Sequence, residues 1–190
     1  MPDADRGQLD DMQIDAITNV AKDARILIVD DVADNTGSLS RLLRRAGYAI
    51  CITITDPAEA LAKFRELQPD LLLLDWHMER LSGLEFIEHL KNRIPPDDLP
   101  PVLVLTADAS HDTRREALAV GASDFLSKPF DPSEVLLRIR NLLRARFLHR
   151  RLQELREDLE SQISDRTLEL NQTLAELRLL RHSTSAAPAP

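Results

Sequence analysis

The 190-residue sequence predicts a doubly wound α/β domain, five parallel strands flanked by helices, with the last helix extended into a coiled coil. Three observations carry that reading. From Arg25 onward, short apolar runs alternate with stretches of helical period, the pattern of repeated β-α units around a parallel sheet. Capping and breaking residues stand at the boundaries of several of these stretches. Between Pro132 and Pro188 there is no glycine or proline, and leucine and arginine dominate.

Residues 1–24 form a leader with helical period over 9–20 and no assigned function. The first strand is 26–29. A helix over 35–46 places Leu39, Leu42 and Leu43 on one face and stops at Gly47. A second strand covers 49–54. The second helix, 57–67, has Asp56 as its cap and Pro57 at its first position, where the missing N–H costs nothing. Residues 71–74 are four leucines, which predicts a strand buried on both faces. Then 84–92, 102–105, 112–120 and 124–126 supply helix, strand, helix and strand, and a helix opening near Pro132 completes the fifth unit. The domain is expected over 25–143 and a coiled-coil extension over 144–182. Residues 183–190 are small, polar and Pro-containing, the composition of a disordered tail.

The net charge of −8 is unevenly divided, −11 over residues 1–137 and +3 over 138–190. An acidic head argues against nucleic acid as a partner. Arg138, Arg140, Arg144, Arg146, Arg150 and Arg151 have no acid among them, yet with few interleaved aromatics they read as a solvated helix surface. The single cysteine, Cys51, lies among Ile50, Ile52 and Ile54, so it reads as a small buried side chain and no internal disulfide can form. That suits a reducing cytoplasm, the expected location. No apolar stretch approaches the roughly 18 residues of a membrane span. Residues 1–22 are acidic and polar where a signal peptide is basic and then apolar.

What terminates each strand is the informative feature. The first ends in Asp30 and Asp31, the third in Asp75, the fourth in Thr106, and the fifth in Ser127 and Lys128. In the flavodoxin-like strand order 2-1-3-4-5, the crevice lies at the carboxyl ends, and strands one and three are neighbours at the switch point. Asp30, Asp31 and Asp75 are thereby set close together. Crowded carboxylates raise one another's pKa unless a cation is present, and a hard divalent ion such as Mg2+ takes oxygen ligands while keeping waters to share with a phosphate. One carboxylate can then act as nucleophile on phosphorus, and Asp75 is the lone acid on the central strand. Lys128 would neutralise phosphoryl oxygens and the Thr106 hydroxyl would bond the product. A cis bond before Pro129 would turn the ammonium inward.

These residues resemble the response-regulator receiver domain over roughly residues 24–143. The matching stretches are Ile28-Val29-Asp30-Asp31, Leu71-Leu72-Leu73-Leu74-Asp75 with Met78 and Gly83 following, Val104-Leu105-Thr106-Ala107, and residues 121–130 with Phe125, Lys128 and Pro129. Four motifs in this order and spacing are specific where each alone is weak. The resemblance implies that a histidine kinase donates phosphate to Asp75. It implies that Mg2+ (or Mn2+) is held by Asp31, Asp75 and the backbone carbonyl of His77, with Asp30 acting through water. It also implies that Thr106 moves toward the phosphate while Phe125 turns inward, reshaping the face of the fourth helix, fifth strand and fifth helix, a second surface for dimer formation. Small Ala107 leaves access to the phosphoryl group. Glu79, His77 and Trp76 depart from the usual pattern and bear on dephosphorylation and on the shape of that loop. The His77 side chain is read as surface, with only its carbonyl used, and His89, His111, His149 and His182 are assigned nothing.

Leu152, Leu155, Leu159, Ile163, Leu170, Leu174 and Leu177 form a stripe whose positions 152, 163 and 174 are 11 apart, with Arg166 in one apolar slot. An 11-residue repeat predicts a nearly straight or slightly right-handed bundle. A parallel homodimer is the simplest partner for such a stripe. Residues 163–170 resemble linker coils that join receivers to cyclic-di-GMP phosphodiesterases of the HD-GYP type, diguanylate cyclases and histidine kinases. No such domain follows in this sequence, so output is expected from a longer chain or a separate partner. Two alternatives compete with a signalling switch: a phosphorylation-independent dimeric scaffold, and a haloacid-dehalogenase-type phosphatase. The latter wants an aspartate two residues after Asp75, where His77 stands, so the chain is expected not to be an enzyme.

Overall fold

The computed structural model describes residues 21–108 and 110–185, with side chains over 22–172 apart from residue 109. The predicted helix over 9–20 lies outside the described residues. After a 3-10 turn, Ala21–Asp23, the elements are β1 (Arg25–Val29), α1 (Ala33–Arg45), β2 (Ile50–Ile54), α2 (Pro57–Leu67), β3 (Leu71–Asp75), α3 (Gly83–Lys91), β4 (Val102–Thr106), α4 (His111–Val120), β5 (Asp124–Ser127) and α5 (Pro132–Ser185). The strands form one sheet in the order β2-β1-β3-β4-β5, parallel at every pairing, which is the predicted doubly wound arrangement.

Strand side chains alternate between two buried faces. On one, Leu27, Val29, Leu72, Leu74, Val102 and Val104 meet Ala60 and Phe64 of α2, Phe86, Ile87 and Leu90 of α3, and Ala117 of α4. On the other, Ile26, Ile28, Leu71, Leu73, Leu103 and Leu105 meet Leu39 and Leu43 of α1 and Val135, Ile139 and Leu143 of α5. Uninterrupted leucine in β3 follows from this, because the central strand has no solvent face.

Caps fix where the helices begin. The Asp56 carboxylate accepts from Ala58 N at 3.0 Å and Pro57 opens α2, as the sequence predicts. Ser82 and Glu85 form a reciprocal capping box at α3, satisfying two amides that the first turn leaves free. Ser110 caps α4, and Gly121 ends it at φ 112°, a left-handed conformation that only glycine adopts readily.

The chain divides into two compact units, the first ending at Phe147 and the second beginning at Leu148. In the first unit α5 makes contacts beyond the expected boundary at Leu143. Arg146 donates to the carbonyls of Asp97 at 2.9 Å, Asp98 at 3.0 Å and Leu99 at 3.1 Å, and Phe147 packs on the α1 side of the core. Arg138 pairs with Asp124 and Glu134, each at 2.7 Å, and Arg151 reaches Glu154 at 3.3 Å, so the clustered arginines include side chains with structural partners as well as solvated ones.

The second unit is helix as far as Ser185, so residues 183–185 of the expected tail continue α5 and the rest lie outside the described residues. Leu152, Leu155, Leu159, Ile163 and Leu170 are exposed along it, while Arg156 pairs with Glu160 and Arg166 with Glu169. The Leu174 and Leu177 side chains lie outside the described set. No described helix is long and apolar enough to cross a membrane.

Candidate functional site

Strand register brings the predicted residues to one rim. Val29 pairs with Leu74, so Asp30 follows β1 directly beside Asp75 at the end of β3. Asp75 is aligned with Leu105, and Thr106 with Ser127, which places Lys128 one step beyond. The backbone also closes there, Trp76 N donating to Leu105 O at 2.9 Å and Lys128 N to Thr106 O at 2.6 Å. The Lys128-Pro129 peptide is cis.

Lys128 Nζ lies 2.7 Å from Asp30 Oδ2 and 2.6 Å from Asp75 Oδ1. Asp30 is 1% exposed and Asp75 7%, so two carboxylates have been taken out of water around one ammonium. Burial pushes the Asp75 carboxyl above its ordinary pKa; the hydrogen bond and charge of Lys128 offset this only in part, and Asp30 and Asp31 add repulsion. Mutual repulsion, the cause assigned from sequence, is thus the smaller contribution. For Lys128 burial is again the largest single influence and pulls its pKa down, but the bonds to Asp30 and Asp75 outweigh it, so the ammonium is held above its ordinary value.

Asp31 is half-buried, and its Oδ2 accepts from Glu79 N at 2.9 Å, tying the β3-α3 loop to the end of β1. The same loop is closed at Gly83, whose N donates to Trp76 O at 2.9 Å. A Cβ there would lie 2.8 Å from Asp75 O and 3.0 Å from Trp76 Cα, so only glycine permits this approach. Asp30, Asp31 and Asp75 each present an oxygen within 4.8 Å of the others. An all-oxygen set of this kind could hold a hard divalent cation.

Thr106 is fully buried, and its hydroxyl is already engaged: Oγ1 accepts from Asp108 N at 3.1 Å and lies 3.2 Å from His77 Nδ1. The His77 ring is exposed, as the surface reading expects, and its imidazole also contacts the Thr106 hydroxyl. Asp108 in turn accepts from Ser110 and Thr113, and its carboxyl is held below its ordinary pKa first by the Thr113 bond and then by those from Ser110. Phe125 is buried in the α4 side of the core. Ala107 and Pro129 are exposed at the rim.

One contributor was missed from sequence. Asn35, on the first turn of α1, donates Nδ2 to both oxygens of Asp30, at 2.9 and 3.0 Å. A polar residue at a helix start reads as a cap, and the separation of five from Asp30 is the only signal that could have found it.

The sequence model of the response regulator receiver domain matches residues 26–140. The chain is 38% identical over 119 residues to the phosphate regulon transcriptional regulatory protein PhoB of Pseudomonas aeruginosa, covering 63% of this chain and 51% of that protein. It is 41% identical over 122 residues to the transcriptional regulatory protein PrrA of Mycobacterium tuberculosis, covering 64% and 51%. The chain therefore spans about half the length of these curated relatives. Among solved structures, chemotaxis protein CheY4 of Vibrio cholerae superposes with a TM-score of 0.57 at 32% identity, covering 63% of this chain and 98% of that one. The matched stretch contains the five strands, save Arg25 at the start of β1, and every rim residue from Asp30 to Lys128, and on it the chain belongs to the response regulator receiver domain family.

Proposed function

We propose that this chain is a two-component response regulator that accepts a phosphoryl group from a histidine kinase on Asp75. The observation that supports this most is a buried carboxylate held by Lys128 where strand ends converge, inside a cluster of three aspartates. Lys128 occupies Asp75 Oδ1, which leaves Oδ2 to attack phosphorus. As the new O–P bond forms, the bond from phosphorus to the donor imidazole nitrogen breaks, and the donor ring, protonated at its other nitrogen, leaves as neutral imidazole, giving an acyl phosphate. Asp31, Asp75 and the His77 backbone carbonyl would hold Mg2+ or Mn2+, with Asp30 contributing through water; the ion supplies positive charge against the phosphoryl oxygens.

Lys128 is placed to meet the same oxygens, and the Thr106 hydroxyl would exchange its contact with His77 for one with the phosphoryl group. Receiver domains are signalling switches, and in this reading the output is the geometry of α5. Residues 25–143 form the switch and 144–182 a coil that pairs with a second copy in parallel. The exposed stripe from Leu152 to Leu170 supports this, because leucines about 45–66% exposed on a continuous helix need an apolar partner. The chain acts in the cytoplasm, passing its signal to an output domain or separate protein.

Incubation with a small phosphodonor and Mg2+ should add one phosphoryl group, lost on mild base treatment. Absence of an adduct in the wild-type chain would leave the phosphorylation-independent scaffold. Light scattering with and without beryllofluoride should show a dimer or a shift between states, and Ile163→Glu should weaken it; a constant monomer rejects the coil.

A further inference from the structure

Asp30 is buried to 1% exposure, and its donors are all accounted for. Oδ1 accepts from Val32 N at 2.9 Å and Asn35 Nδ2 at 2.9 Å; Oδ2 accepts from Lys128 Nζ at 2.7 Å and Asn35 Nδ2 at 3.0 Å. Each oxygen thus already has two protein donors. The amide orientation at Asn35 is fixed by chemistry, because a carboxylate only accepts and the oxygen of the amide would be repelled.

The three donors do different things. Val32 N is backbone and cannot be varied independently, and Lys128 is shared with Asp75. Only Asn35 spans both oxygens. The carboxylate torsion of an aspartate is broad and two-fold, so a carboxylate held at one oxygen from each side can rock about its Cβ–Cγ bond. A donor bridging both oxygens prevents that rotation. Asn35 is itself rigidly mounted: its own N donates to Val32 O at 3.0 Å, and the next residue, Thr36, is buried with Oγ1 bonded to Ala33 O at 2.9 Å.

Resting on the acceptor reading above, we propose that Asn35 is a positioning residue for the cation site. It locks the Asp30 carboxylate in the orientation that keeps Asp30 within 4.8 Å of the Asp31 and Asp75 oxygens, and through the shared ammonium it also fixes Lys128 against Asp75. With both Asp30 oxygens engaged by protein donors, Asp30 serves the ion chiefly through its field, and direct ligation falls to Asp31, Asp75 and the His77 backbone carbonyl. When Asn35 is removed, the orientation of Asp30 must be fixed at the moment the ion binds, and that ordering weakens binding.

The test is titration with magnesium chloride, followed by fluorescence of Trp76, the single tryptophan and the immediate neighbour of Asp75. Asn35→Ala should raise the Mg2+ dissociation constant about tenfold, the scale expected for losing hydrogen bonds to a charged group. Alanine favours helix at this half-exposed position, so folding should survive, and the urea midpoint checks it. A merely structural role is separated by a double-mutant cycle. In an Asp30→Asn background, Asn35→Ala should change the dissociation constant by less than about twofold, because the carboxylate it positions is gone. Equal constants for wild type and Asn35→Ala, or the same tenfold loss in both backgrounds, overturn the proposal. A wild-type chain with no Mg2+-dependent fluorescence change defeats the acceptor reading itself, and the proposal with it.

Discussion

Replacing Lys128 by methionine keeps the reach of the side chain and deletes its charge, leaving Asp30 and Asp75 buried at 2.6–2.7 Å from where an ammonium had been. Breaking a buried pair by removing one partner typically costs about 3–5 kcal/mol. The Lys128 side chain keeps 21% exposure, and Asp30 retains Val32 N and Asn35, so the lower end, about 3 kcal/mol, is expected near neutral pH without Mg2+. For a domain of this size that corresponds to a fall of about 10 °C in Tm. The pH dependence has a definite sign. Burial already raises the Asp75 pKa in the folded state, and loss of the ammonium raises it further. A carboxyl with a raised folded pKa contributes stability present below its unfolded pKa and lost as pH rises through the folded value. The deficit of Lys128→Met should therefore be widest near neutrality and narrow as the pH falls toward the carboxylate range. Urea unfolding followed by Trp76 fluorescence from about pH 4 to pH 8 measures it. Equal midpoints at every pH, or a deficit that widens on acidification, would refute the claim that the ammonium offsets two buried charges.

Two further substitutions probe the same rim. Asp75→Asn removes a carboxylate whose charged form burial disfavours, so in Mg2+-free buffer near neutral pH it should be more stable than wild type, with the gap closing as the pH falls through the carboxylate range; a lower urea midpoint would contradict this. Gly83→Ala drives a Cβ to 2.8 Å from Asp75 O, and because that atom is backbone at the end of the central strand it cannot swing aside. A loss of about 1–3 kcal/mol is expected, together with weaker Mg2+ binding as Asp75 is displaced; a neutral effect on both would mean the loop relaxes freely.

Much of the fold was legible because both sheet faces are buried. Residues 71–74 read as a central strand for the same reason that α2, α3 and α4 lie on one side and α1 and α5 on the other. The strand ends were legible as well, since Asp30, Asp75, Thr106 and Lys128 interrupt apolar runs abruptly. What was not legible depends on loop closure. The imidazole of His77 reaches Thr106 only because the β3-α3 loop is pinned by Asp31 to Glu79 N and by Gly83 N to Trp76 O. No local spacing encodes that. The role of Asn35 is hidden because its target lies one strand end away from an ordinary helix start, and the reach of α5 to Phe147 depends on Arg146 meeting carbonyls in the 97–99 turn.

The central claim is that Asp75 forms the acyl phosphate, and the most direct measurement is reductive trapping after treatment with a small phosphodonor and Mg2+. Borohydride converts an acyl phosphate to an alcohol, and peptide mass spectrometry then locates the changed residue. The modification should fall on Asp75, be lost when Mg2+ is chelated, and vanish in Asp75→Asn. A modification on Asp30 or Asp31, or one that persists in Asp75→Asn, would contradict the account.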